Sequence, residues 1–331
     1  MISVRRYIDT DKELWNNFLE NSRTNQFLLS RNFMEYHKDR FEDYSLMVFD
    51  EKNLVAIFPA NIKNNIVVSH SGLTFGGFIV AKDETTKNSI QYFAQLLKYT
   101  SENNIEKIIF KQSPSFYSSV SQDEIDYTMF LVDAKMYRVD IAYAINQKLE
   151  NNIQYQERRR RAIKKAKKNG VEIKETTDFS TFWNEILTPN LQSRFGVNPV
   201  HSLAEIKSLS TNNPNKIRQF EAWQNEVLLA GTTVFETPTV AHAQYISASE
   251  EGRKNGAIDL LFHHLISTTF AHKQIFDFGI VNEEEGRKIN MGLLDWKEGF
   301  GARAYAHRFY EIETKNYVQI EKLFVTEINN N

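Results

Sequence analysis

Two stretches constrain the fold of this chain more than any other feature: residues 44–70, YSLMVFDEKNLVAIFPANIKNNIVVSH, and residues 217–249, IRQFEAWQNEVLLAGTTVFETPTVAHAQYISAS. In both, apolar runs with two-residue alternation are broken by short polar turns, at residues 50–53, at Asn225 and at Thr237-Pro238. That pattern is the signature of strands meandering with one face on a core. Each meander is followed by helical spacing, at residues 85–101 and from Arg253 or Gly256 to His272. A short apolar strand then follows, KIIF at 107–110 and IFDFGI at 275–280. The order of elements repeats although the residues do not. With 331 residues, the chain fits two domains of about 150. We expect an α/β fold of mixed sheets (α+β) with domains at 1–146 and 147–331, and a cleft between tandem units is a favoured ligand site.

The remaining elements fill this plan. Helical spacing appears at 11–21, 31–40, 179–191, 202–210 and 289–298, and strands are predicted at 126–134, 136–145, 171–175 and 305–312. Between the halves, a helix is predicted from Gln147 through YQERRRRAIKKAKKNG to Asn169-Gly170. Residues 158–168 carry eight positive charges in a chain of net charge -2. Ala162, Ile163 and Ala166 give this helix one narrow apolar strip. A charge run is most simply a solvated face; its functional alternative is an electrostatic lure for an anionic ligand.

Composition excludes several chemistries. The chain has no cysteine, which removes disulfides, thiolate metal sites and thiol catalysis. No window approaches the roughly 18 apolar residues of a membrane span, and the start MISVRRYIDTDKELW lacks a secretory signal. These features lead us to expect a soluble, cytoplasmic protein. A pI near 6.5 argues against a surface built throughout for nucleic acid. His263, His264 and His272 share no ligand spacing with a carboxylate, so no metal is expected.

The segment AHAQYISASEEGRKNGA, residues 241–257, is the most informative chemically. A strand ends near Ser247 and a loop holding Gly252 and Gly256 opens an apolar helix. Free amides and the helix dipole at such a place suit a phosphate, and Arg253 and Lys254 add charge. The plain alternative is a strand-turn-helix connection whose glycines only make the turn.

With ERRRRAIKKAKKNGVEI (157–173), SRFGVNPVHSLAEIKSL (193–209), AHAQYISASEEGRKNGAIDLLFHHLI (241–266) and FDFGIVNEEEGRKINMGLLDWKEGFGAR (276–303), the chain resembles the FemAB-like branch of the acyl-CoA N-acyltransferase (GNAT) superfamily, with tandem GNAT domains. The resemblance implies a splayed mixed sheet in each half, with a thioester or aminoacyl ester held beside the parting strands. It implies a donor site at Ile246, Ser247, Ala248, Ser249, Gly252, Arg253, Asn255, Gly256 and Ala257, for acetyl-CoA or another acyl-CoA. Ile258 stands where the superfamily's phosphate loop expects a small residue, and Asp295 where many members carry an acidic Tyr. Lys297 matches the functional Lys of a Phe/Trp-Lys-x-Gly-Phe motif, and a cation there stabilises an oxyanion.

His242, before the loop, is the candidate general base, with Asp277 and Glu298 as lesser ones. Gln244 shares its face and Tyr245 the opposite one. The resemblance to Fem-type proteins implies that Arg194 and His201, in RFGVNPVH, lie in a region that in that family helps hold the acceptor, often a nucleotide-linked sugar. With Gln244 and Tyr245 they complete the substrate-binding set. The expected activity is N-acyl transfer to a primary amine of a small molecule or cell-envelope precursor. The alternatives are aminoacyl-tRNA-dependent transfer and a non-catalytic binding protein.

Overall fold

The computed structural model describes residues 1–149 and 154–328, and the chain forms two compact units. One is Met1–Asp140 completed by the chain from Ala306 on; the other is Ile141–Tyr305. The units therefore differ from the expected halves, because the last strand and helix return to the first unit. Alternation along residues 305–312 identifies a strand but not its partner.

In the first unit, the strands Ile2–Arg6, Leu46–Asp50, Asn53–Phe58 and Ile79–Val80 form an antiparallel sheet in that order. Ile66–Val68 pairs in parallel with Lys107–Lys111, which pairs on its other side with residues 309–313 of the strand Arg303–Glu313. The helix Thr86–Glu102 buries Ile90, Phe93, Leu96 and Leu97 in a core shared with Leu46, Phe58 and Phe110. The strand predicted at 126–134 is instead part of the helix Glu124–Leu131. Its Ile125, Thr128, Met129 and Val132 are buried while Tyr127 and Phe130 are exposed, a spacing of three and four that the unbroken apolar run concealed.

The second unit begins with Ile141 in the strand Lys135–Asn146 (β1) and continues through the basic helix Glu157–Lys168 (α1). The helix expected from Gln147 starts only at Glu157, and residues 150–153 of that expectation lie outside the described ones. Next come strand Glu172–Thr176 (β2), helices Thr188–Phe195 (α2) and Leu203–Asn212 (α3), and the meander Ile217–Gln224 (β3), Val227–Glu236 (β4), Val240–Ala248 (β5). Asn225 and Glu226 both have positive φ, at 47° and 65°, the conformation of a two-residue hairpin loop. Helices Glu250–Asn255 (α4) and Ala257–His264 (α5), strand Ile275–Ile280 (β6) and helix Met291–Glu298 (α6) complete the unit. The sheet order is β2-β3-β4-β5-β6-β1, antiparallel except for β5 with β6.

Of the two starts expected for the helix toward His272, Arg253 and Gly256, the structure takes Gly256, where α4 ends and α5 begins. Gly256 has φ +84°, and a Cβ on it would stand 2.4 Å from the Ala162 carbonyl oxygen of α1. Only glycine permits both the turn and this approach. The apolar strip of α1 is buried as its spacing predicts, with Ile163 and Ala166 in the core beside Leu260, Leu261 and Phe262.

Candidate active site where two parallel strands part

Strands β5 and β6 pair only from Val240↔Ile275 to His242↔Asp277. Beyond His242, β5 continues along β4 as far as Ala248↔Ala230. Among the described residues, its other edge has no strand partner there. β6 turns away toward β1 through an irregularity between Asp277 and Ile280. Gly279, at φ +74°, sits in that irregularity, and its amide donates to Asp277 Oδ1 at 2.7 Å.

Four residues singled out in the sequence, His242, Gln244, Asp277 and Lys297, meet at this parting. His242 Nδ1 lies 2.7 Å from Asp277 Oδ2, and Nε2 lies 3.2 Å from Gln244 Oε1. Asp277 is buried, whereas part of the His242 ring is exposed. A neutral His242 that donates Nδ1–H to the carboxylate leaves Nε2 as the acceptor, and the Gln244 amide then presents its NH2; an imidazolium donates from both nitrogens. Lys297, on α6, is 1% exposed and donates to the carbonyls of Gly279 and Ile280 at 2.8 and 2.7 Å. Burial pushes its amine down to about 7, against the opposing pull of Asp277. Glu298 follows on the same helix and, after burial, helps push the Tyr143 hydroxyl up.

The expected donor loop is organised differently from a phosphate cradle. Ser249 caps α4, its Oγ accepting the Gly252 amide at 3.0 Å. The Ala257 amide donates to Asn255 Oδ1 at 3.0 Å, and α1 fills the space over Gly256. Two of the amides expected to face a phosphate are thus satisfied by side chains. Ser247 and Ala248 are bridged instead by Asn190 on α2, whose Nδ2 donates to Ser247 Oγ at 2.8 Å and to the Ala248 carbonyl at 3.0 Å. Ile246 is half-buried beside them. This bridge docks α2 on the end of β5 and brings Arg194 near Arg253, whose guanidinium is pushed down by burial and by that neighbouring charge. Both side chains are exposed. Arg253 also donates to the Ala248 carbonyl.

His201 and Tyr245 lie elsewhere. Tyr245 Oη is 2.6 Å from His201 Nδ1 and accepts the His201 amide at 3.1 Å, while Trp183 Nε1 donates to the His201 carbonyl at 3.2 Å. Both are buried, and their mutual contact pins the loop before α3 against β5. Gly279 was missed in the sequence, although a glycine inside an apolar strand run is the usual mark of a bulge. Asn190 had no such mark. Among the described residues, no group of three or more His, Asp or Glu is placed to hold a metal ion.

The fold is that of the FemX-like tandem GNAT proteins. The crystal structure of FemX superposes with a TM-score of 0.66 at 10% identity, covering 96% of this chain and 99% of that one. L-PGS from Bacillus licheniformis gives 0.59 at 9% identity, over 97% and 96% of the two chains. A tandem GNAT protein from the clavulanic acid biosynthesis pathway gives 0.52 at 8% identity, over 95% and 99%. No family model and no curated protein matches the chain.

Proposed function

We propose that the protein is an N-acyltransferase that works where β5 and β6 part. The observation that carries this reading is the convergence of the His242–Asp277 pair and Lys297 on the point where the open edge of β5 begins. An acyl ester or thioester bound along that edge presents its carbonyl to the backbone of residues 246–249. The amine nitrogen attacks the carbonyl carbon and a C–N bond forms. The incoming amine replaces the Gln244 amide at His242 Nε2, which takes the amine proton, with Asp277 holding the imidazole in the required tautomer. As an ammonium, Lys297 has one N–H beyond the two given to Gly279 and Ile280, and this N–H supports the developing oxyanion. The tetrahedral intermediate then expels the thiolate or alkoxide, which is protonated from the imidazolium. Arg194 and Arg253, exposed and adjacent, suit the phosphates of a nucleotide-linked amino sugar as acceptor.

The occupied amides at Gly252 and Ala257 favour a second donor, an aminoacyl-tRNA, whose ester needs no pyrophosphate cradle at this loop. Purified protein is assayed for thiol release from acyl-CoA and, separately, for transfer from charged tRNA, each with a panel of amino sugars. His242→Asn is expected to lower kcat/KM by about 10²- to 10⁴-fold with whichever donor works. No turnover with either donor class, and no thermal shift with coenzyme A, leaves a non-catalytic binding protein.

A further inference from the structure

Six of the eight cations of α1 fall into two sets. Arg158 donates to the Asp295 carbonyl at 2.7 Å, Arg159 pairs with buried Asp259, and Lys165 donates to the Lys254 carbonyl at 2.9 Å. These three tie α1 to its neighbours. Arg160, Lys164 and Lys167 recur at spacings of four and three, so they form a separate stripe. Among the described residues, Lys164 and Lys167 make no ion pair. The stripe edges an open cavity of about 1010 Å3 that shares no residue with the His242, Asp277 and Lys297 cluster.

The cavity's composition narrows its ligand. Ile163 and Ile266 contribute apolar surface, and Gln147, Gln154 and Ser267 contribute hydrogen-bonding groups. Tyr155 and His263 meet edge to face at 5.7 Å between ring centroids, and Phe300 backs the Tyr155 ring at 5.2 Å. His263 Nδ1 is buried without a hydrogen-bond partner. Its imidazole is pushed down, first by burial and then by the charge of Lys167, which lines the same cavity. The Tyr155 ring, amide and hydroxyl groups and a row of cations, in which Arg160 pairs with Glu157 while Lys164 and Lys167 carry no ion pair, match a flat heterocycle carrying phosphates. A flat basic surface would suit a duplex backbone, but this one is concave.

We propose that this cavity is a second ligand site that binds a nucleoside phosphate, the ring against Tyr155 and the phosphates along Arg160, Lys164 and Lys167. The nucleotide is either a free molecule or the unstacked end of an RNA strand. Calorimetric titration with ADP, inorganic pyrophosphate and a short single-stranded RNA separates these sources. The test variant is Lys164→Glu/Lys167→Glu, and the control is Lys168→Glu/Lys174→Glu, which makes the same charge change on exposed residues outside the cavity. Thermal melts establish that both variants fold. ADP binding that weakens about ten-fold or more in the test variant and holds in the control supports a free nucleotide; RNA binding with that pattern and no ADP binding assigns the site to RNA. The proposal is overturned if neither ligand binds, if the test variant binds as tightly as the wild type, or if pyrophosphate competes as well as ADP. Because the readout is binding without turnover, failure here leaves the catalytic reading untouched, and the reverse holds.

Discussion

Replacing Lys297 with Met removes a charge from a position with 1% exposure while keeping most of the side chain's volume. Its amine falls from an ordinary 10.5 to about 7. At about 1.4 kcal/mol per pH unit, the ammonium costs the folded state up to about 5 kcal/mol. The sign follows from proton linkage. Between about pH 7 and 10.5 the unfolded chain holds the proton and the folded chain does not, so wild-type stability rises with pH across that window and the penalty is greatest below it. Urea unfolding of wild type and Lys297→Met at half-unit steps from pH 6 to pH 10 isolates this group, because other titrations cancel in the difference. We expect the variant's advantage to shrink by about 4 kcal/mol over that range. A difference that stays flat with pH refutes a buried, titrating Lys297. Catalysis adds an independent reading, since an oxyanion donor must be charged. The variant should lose about 10²- to 10³-fold in kcat, and wild-type activity should fall above about pH 7.

Two further changes test the scaffold beneath the site. Gly279→Ala forces a side chain into φ +74° and sets its Cβ 3.3 Å from His242 Cε1, so chemical denaturation should show a loss of about 1–2 kcal/mol. Arg159→Ala strands the buried carboxylate of Asp259 and should cost about 3–5 kcal/mol at neutral pH. Burial already holds that carboxyl above the usual carboxylate range, so protonation relieves the variant and its deficit should narrow on acidification. An apolar double variant, Arg159→Met/Asp259→Leu, should recover most of the loss.

Strand positions were legible where alternation and turn chemistry agreed, as in the β3–β4 hairpin with its Asn225-Glu226 loop. Residues 126–134 were not, because an unbroken apolar run reads equally as a buried strand or as one face of a helix. At the site, His242 and Gln244 meet as strand period predicts, although the register of β5 on β4 is irregular at Gln244. The His242–Asp277 contact spans 35 positions and exists only through the parallel register of β5 on β6, which no local pattern encodes. The His201–Tyr245 contact was illegible for a related reason: polar groups suggest binding, but sequence does not say that each satisfies the other in the interior.

The strand that closes the first unit arrives late in synthesis. Lys111 pairs with Phe309, so one side of Lys107–Lys111 lacks its partner until residues 309–313 have been made. The contiguous unit from Ile141 to Tyr305 lies entirely within that interval. At ribosomal rates of about 5–20 residues per second, the wait lasts on the order of tens of seconds. Throughout it, an apolar strand, KIIFK, presents unpaired amides and carbonyls. The second unit is therefore the one able to fold during translation. Any chain shortened before Ala306 keeps that exposed edge permanently, so truncation should produce aggregation even where every residue of the candidate active site is intact.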